Sequence, residues 1–243
     1  MADGIAPSRT IPELLTDAAG RDGDGIWIRT DDGSLTFGGA LAQVAATAEA
    51  LRAIGVRHGD LVMTTARTSP PYLICWLALA CLGAVTVPVN PRSAPAELAG
   101  LVHQTRPRAL ITDIGLASLV EEAKVAGLPG LGVLDADDLT RGWASSLGDG
   151  QAGTGRPGAG RPADGGRLPD AGVRPGDLAV LIPTSGTTGR SKLVMQTHRA
   201  YVLAGEGFPY WMGLTADDRL MTSLPLFHIN APAYSVMGSL ACG

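Results

Sequence analysis

The residues best equipped for chemistry lie in one run, Pro183-Thr184-Ser185-Gly186-Thr187-Thr188-Gly189-Arg190-Ser191-Lys192. It combines Ser and Thr hydroxyls, two glycines and a lysine. Glycines let a backbone approach a ligand closely and turn its N–H groups inward. Hydroxyls add rotatable donors, and the lysine adds a full positive charge. That set suits an anion, and a polyphosphate is its natural occupant. The spacing is not that of a Walker loop, which needs four residues between its glycines and then Gly-Lys-Ser/Thr. Here two residues separate Gly186 from Gly189, and Lys192 comes three later. A plain polar hairpin loop is the alternative reading of the same composition.

The lysine carries a further signal. Of 19 Lys+Arg, only Lys124 and Lys192 are lysines. A compact ammonium fits a narrow phosphate cradle better than a planar guanidinium fork does. A second candidate stretch is Leu224-Pro225-Leu226-Phe227-His228-Ile229-Asn230. An aromatic and a histidine after an apolar run serve packing more often than chemistry. His198 reads as structural, and His58 and His103 as surface or packing residues.

These stretches need a scaffold, and the periodicities supply one. The run 178–182 reads as a buried strand before the loop, and 193–195 as a shorter one after it. Thr10 can cap a helix reaching about 19, with Pro12 in its first turn. Strands are expected at 26–28 and 35–37 around a turn at Asp31-Asp32-Gly33. Leu41, Val44, Ala48 and Leu51 recur at helical spacing, and Gly55 ends that helix. A strand at 60–65 follows. The uncharged stretch 72–89 is at the threshold for a membrane span. Gly83, Thr86 and Pro88 divide it into a buried helix and a short buried strand. Asn90-Pro91-Arg92 is a turn, and Ser93 can cap a helix through 103. Strands at 109–112 and 131–134 bracket a helix at about 116–126. A helix is expected over 198–212, interrupted by Gly205, Gly207 and Pro209, and then a strand over 220–224. Strands and helices alternate, so the fold class is α/β with a layered parallel sheet.

The chain has 243 residues, 45% hydrophobic and 17% charged, enough for a substantial core. A net charge of −4 without a basic stripe argues against nucleic acid. Cys75, Cys81 and Cys242 are odd in number and lack metal spacing, so they read as buried thiols of a cytoplasmic protein. The first ten residues contain no apolar signal core, and no metal ligand set appears. The stretch 148–176 is rich in Gly, Pro, Arg, Asp and Ala and reads as a solvated linker or surface loop. It separates 1–147, expected as a first α/β subdomain, from 177–243, expected as the phosphate-loop segment and the start of a second.

Thr184-Ser185-Gly186-Thr187-Thr188-Gly189-x-x-Lys192 resembles the phosphate-loop signature of the adenylate-forming enzymes: acyl- and aryl-CoA synthetases, peptide-synthetase adenylation domains and firefly luciferases. Leu35-Thr36-Phe37 with Gly55-Val56-Arg57-His58-Gly59-Asp60 is similar to that family's opening region. Leu82-Gly83-Ala84-Val85-Thr86-Val87-Pro88-Val89-Asn90-Pro91 is similar to the segment after its second long helix. The resemblance implies the N-terminal domain of an AMP-forming acid–thiol ligase, most like an acyl-CoA synthetase. ATP and Mg²⁺ would activate a fatty or aryl carboxylic acid as an acyl adenylate, and CoA would take the acyl group. It places Thr184, Ser185, Gly186, Thr187, Thr188, Gly189 and Lys192 on the β- and γ-phosphates. It gives Lys192 and Thr187 catalytic roles, in a loop that moves during closure and release. Phe227, His228 and Asn230 would border the acid pocket.

Three positions depart from the family pattern. Pro183 stands where an aromatic residue is usual, Ser191 where a proline is, and Leu193 where a glycine is. The chain stops at 243 within an apolar helix pattern that has no cap. The family's adenine-binding segment, Mg-linked glutamate, ribose-binding aspartate and C-terminal domain with its catalytic lysine are expected beyond that point. An incomplete fold with an exposed apolar surface is therefore expected. Two alternatives stay open: a short, non-catalytic nucleotide- or acyl-binding protein, and an unrelated α/β phosphate-binding domain.

Overall fold

A computed structural model describes residues 9–31, 33–125, 128, 130–140, 167–184 and 191–243. The first helix, α1 (Ile11–Arg21), begins at Thr10. The Thr10 hydroxyl accepts the Glu13 N–H, and the Glu13 carboxylate accepts the Thr10 N–H, so two orphan donors are satisfied at once. Strands β1 (Ile26–Thr30) and β2 (Gly33–Thr36) pair antiparallel as a small separate sheet. Phe37, expected to end the second strand, instead opens α2 (Phe37–Ala53), because the Thr36 hydroxyl caps the Gly39 N–H.

The uncharged stretch divides as its sequence requires. Helix α3 (Pro70–Cys81) is buried from Pro71 to Cys81, and β4 (Val85–Pro88) follows β3 (Leu61–Thr65) in the sheet. Gly83 makes the reversal at φ +67°, where a side chain is strained. Among the described residues no helix is long and apolar enough to cross a membrane. Helix α4 (Pro95–Thr105) starts one residue later than expected. Ala94 is its N-cap and makes no side-chain bond, while Pro95 needs no donor in the first turn. Strand β5 (Ala109–Thr112) leads to α5 (Ala117–Glu122), which is shorter than its apolar pattern because Lys124 turns left-handed at φ 52°. Strand β6 (Gly132–Asp135) and a single turn, α6 (Ala136–Leu139), close this half.

Residues 148–166 of the expected linker lie outside the described residues. From 167 to 177 the backbone takes no regular element. Asp177 fastens its end: the carboxylate contacts His58 Nε2 at 3.1 Å and accepts the Arg174 N–H at 2.8 Å. Strands β7 (Leu178–Thr184) and β8 (Lys192–Thr197) then join the main sheet, whose order is β6-β5-β3-β4-β7-β8. Five strands run parallel, and β8 returns antiparallel to β7. Strands from both sides of the linker thus build one sheet.

Helix α7 (His198–Met212) runs through Gly205, Gly207 and Pro209 without a break. Gly205 is a packing position: a Cβ there would lie 2.3 Å from Met237 Cβ, where α8 (Met237–Cys242) crosses after a π-helical segment, Ala231–Val236. The strand expected over 220–224 does not form. An extended segment becomes a strand only through ladder bonds to a neighbour, and none of the described strands pairs with it. Met221 is 92% exposed there, and Tyr210, Trp211 and Met212 are exposed at the end of α7. The larger core joins one face of the sheet to α1, α2, α3, α7 and α8; the smaller joins the other face to α4 and α5.

Candidate functional site

The site begins where β7 reaches the C-terminal rim of the parallel strands. Across the hairpin, Ile182 faces Val194, Pro183 faces Leu193 and Thr184 faces Lys192. Ser185, Gly186, Thr187, Thr188 and Gly189, expected to hold phosphates, lie outside the described residues. The two ends of the motif, Thr184 and Lys192, stand directly opposite each other. The Thr184 hydroxyl donates to the Lys192 carbonyl at 3.4 Å. Among the described residues no carboxylate pairs with the exposed Lys192 ammonium.

Side-chain alternation decides which way these groups face. Leu181 and Leu193 pack against the smaller core, on the α4 side. Ile182 packs against the larger core. Thr184 and Lys192 share the Ile182 face of the hairpin. Leu193, at a position where the family pattern has glycine, is partly buried against the smaller core. Pro183 lies beyond the registered β4–β7 pairing at Thr86 and Val180, near the end of the strand, where a missing N–H is tolerated. The carbonyl of Ser191 accepts from the Gln104 side-chain amide at 2.9 Å.

The second candidate stretch reaches the same rim. Leu226 is buried in the larger core, and its N–H donates to the Thr68 hydroxyl at 3.1 Å. Thr68 follows β3, so the bend is pinned just beyond that strand's C-terminal end. The His228 N–H closes a turn onto the Pro225 carbonyl at 3.1 Å. Phe227 is half-buried, with its ring centroid 4.6 Å from that of His228. His228 and Asn230 are exposed, so both can face a ligand. The C-terminal ends of β3 and β5, where successive crossovers diverge, are bridged by Arg67. Its N–H and guanidinium both bond the Asp113 carboxylate. Open α/β sheets bind ligands along this rim.

The buried His198 and Cys75 are structural. His198 is fully buried, and burial lowers its pKa to about 4 despite the favourable charge of Asp177. Its Nδ1 accepts the Ile11 N–H at 3.4 Å, and its Nε2 has no partner among the described residues. Burial pushes the Cys75 thiol up to about 12, so it is not a nucleophile. Among the described residues no group of His, Cys, Asp and Glu could hold a metal ion. Thr68 and Gln104 carried no local signal in the sequence. Their partners are 158 and 87 positions away.

A parallel-dominated α/β sheet with Thr184 and Lys192 paired on its C-terminal rim is the fold shared with N-terminal subdomains of adenylate-forming enzymes. The family model described as AMP-binding enzyme matches residues 15–243, and the chain belongs to that family. It is 32% identical over 215 residues to 4-coumarate–CoA ligase 5 of Oryza sativa subsp. japonica, covering 86% of this chain and 36% of that one. It is 31% identical over 220 residues to 3-hydroxybenzoate–CoA ligase of Aromatoleum sp. (strain CIB), covering 86% and 38%. The chain thus spans less than half the length of these relatives. The N-terminal domain of FACL13 from Mycobacterium tuberculosis superposes with a TM-score of 0.76 at 24% identity, covering 97% of this chain and 56% of that one. The Klebsiella oxytoca NpsA N-terminal subdomain does so with a TM-score of 0.71 at 23% identity, covering 97% and 52%. Those two likenesses speak for the fold alone.

Proposed function

We propose that this chain carries the phosphate cradle and the acid-pocket rim of an AMP-forming acid–CoA ligase. The observation that carries this reading is the pairing of Thr184 with Lys192, which has no carboxylate partner among the described residues, on the rim where Phe227, His228 and Asn230 also lie. The named relatives are CoA ligases for coumarate and hydroxybenzoate, which favours an aryl or acyl carboxylic acid as substrate.

A carboxylate is a poor electrophile. Its oxygen attacks the α-phosphorus of ATP, the bond to the β-phosphate oxygen breaks, and pyrophosphate leaves. A CoA thiol then displaces AMP from the acyl adenylate and forms the thioester. Negative charge accumulates on the leaving pyrophosphate. Lys192 and the hydroxyls of Thr184, Ser185, Thr187 and Thr188 would stabilise it as hydrogen-bond donors. Lys192 supplies the only full charge in that set, and a carboxylate partner would have to be displaced before it could act. Lys192 and these hydroxyls would meet the phosphate oxygens, and Mg²⁺ would enter with ATP and neutralise phosphate charge. Phe227 offers an apolar wall to the acid, and His228 and Asn230 offer polar groups at its edge.

Carboxylate-dependent ATP–pyrophosphate exchange, measured with this chain joined to the nucleoside-binding segments expected beyond residue 243, tests the reading. Exchange that rises with an aryl or acyl acid and disappears in Lys192→Ala supports it. Pyrophosphate binding that depends on Lys192, with no exchange, would instead support the nucleotide-binding alternative. Binding and exchange that ignore Lys192 would remove both.

A further inference from the structure

Gln104 stands in the last turn of α4 and donates its side-chain amide to the Ser191 carbonyl at 2.9 Å. The contact is partly buried and spans 87 positions. Ser191 immediately precedes Lys192, and the Ser191 carbonyl belongs to the same planar peptide unit as the Lys192 N–H. A donor fixed on that carbonyl therefore fixes the orientation of the plane from which Lys192 departs.

Two neighbouring residues make this restraint matter. A serine at 191 leaves φ free, whereas a proline would set it. Leu193 anchors the other side of Lys192 by packing against the smaller core beneath α4. Lys192 itself points to the opposite face of the hairpin, with Thr184 across from it. Gln104 on α4 thus holds Ser191 and the smaller core holds Leu193, on either side of the lysine, while its side chain stays exposed.

We propose that Gln104 is a positioning residue for Lys192, an inference that rests on the phosphate-binding reading. The amide of Gln104 holds the root of the phosphate hairpin in one orientation, so less freedom is lost when an anion is bound. Replacing it frees the Ser191–Lys192 peptide plane without touching the ammonium.

The test compares the 243-residue chain with its Gln104→Leu, Gln104→Arg and Lys192→Ala variants. Inorganic pyrophosphate binding is followed by calorimetry, amide exchange by mass spectrometry and stability by urea midpoint. In Gln104→Leu, which keeps bulk and loses the donor, pyrophosphate affinity is expected to fall about fivefold, the effect of one net hydrogen bond. Exchange at Lys192 and Leu193 quickens while the midpoint holds. Gln104→Arg restores a donor and both readouts. Unchanged affinity in Gln104→Leu, beside a clear loss in Lys192→Ala, overturns the positioning role and leaves the phosphate reading standing. Equal binding by the parent chain and Lys192→Ala overturns both. A loss in Gln104→Leu that only tracks a lower midpoint and is not restored by Gln104→Arg shows a structural contact and overturns the proposal.

Discussion

Thr184 stands directly opposite Lys192 across the β7–β8 hairpin, with its hydroxyl 3.4 Å from the lysine carbonyl oxygen. The pairing brings a hydroxyl and a cation together on one face, at the two ends of the phosphate motif. Lys192→Ala is expected to weaken pyrophosphate or ATP binding by about ten- to a hundredfold, the range for a charged hydrogen bond. The side chain is exposed, so the urea midpoint should not move. Lys192→Arg is expected to recover only part of the affinity, because a guanidinium fork is broader than an ammonium. Titration calorimetry on the three proteins checks this, and full affinity in the alanine variant would refute it.

The bend at 225–230 hangs on one long-range bond, from the Leu226 N–H to the Thr68 hydroxyl. Thr68→Val keeps the shape and removes the acceptor, leaving a partly buried donor unpaired. The expected loss is about 1–2 kcal/mol of stability, with faster amide exchange at Leu226. Urea unfolding and exchange mass spectrometry measure both. No change in exchange would show that the bond does not hold the bend.

Gly205 is the contact point of α7 and α8. A Cβ would lie 2.3 Å from Met237 Cβ and 2.9 Å from its carbonyl oxygen. Alanine is the better helix former by about 1 kcal/mol, yet overpacking of this kind costs typically 1–3 kcal/mol. The clash with backbone should win, so Gly205→Ala is expected to lower the thermal midpoint. A raised midpoint would mean that α8 can move aside freely.

His198 is neutral and buried, and its pKa falls to about 4 in the folded chain from an ordinary 6.5. The unfolded chain therefore binds a proton more readily between those values, so stability is full above about 6.5. It declines as the pH drops toward 4, by about 3 kcal/mol at most. Protonation of Nδ1 also sets a donor against the Ile11 N–H. In His198→Gln this component should vanish. Denaturant midpoints at pH 7 and pH 4.5 for both proteins isolate it from the carboxylates. Identical pH slopes would sink the assignment.

The sequence by itself determined most of the element order, because burial on a sheet or helix leaves a local periodicity. It gave the division of the apolar stretch at Gly83, the capping of α1 by Thr10 and the structural role of His198. It misled at 220–224, where an apolar run looks like a strand but pairs with none of the described strands. It misled also at Gly205, where a residue that weakens an isolated helix is required by the helix crossing it. Only the tertiary structure decided that Lys192 and Thr184 share a face, that Thr68 pins the bend and that Gln104 grips Ser191. The physical reason is distance along the chain. Periodicity and motif report on neighbours a few residues apart, whereas Gln104 and Thr68 meet partners 87 and 158 positions away. Neither polar residue carries a local mark of the bond that folding makes.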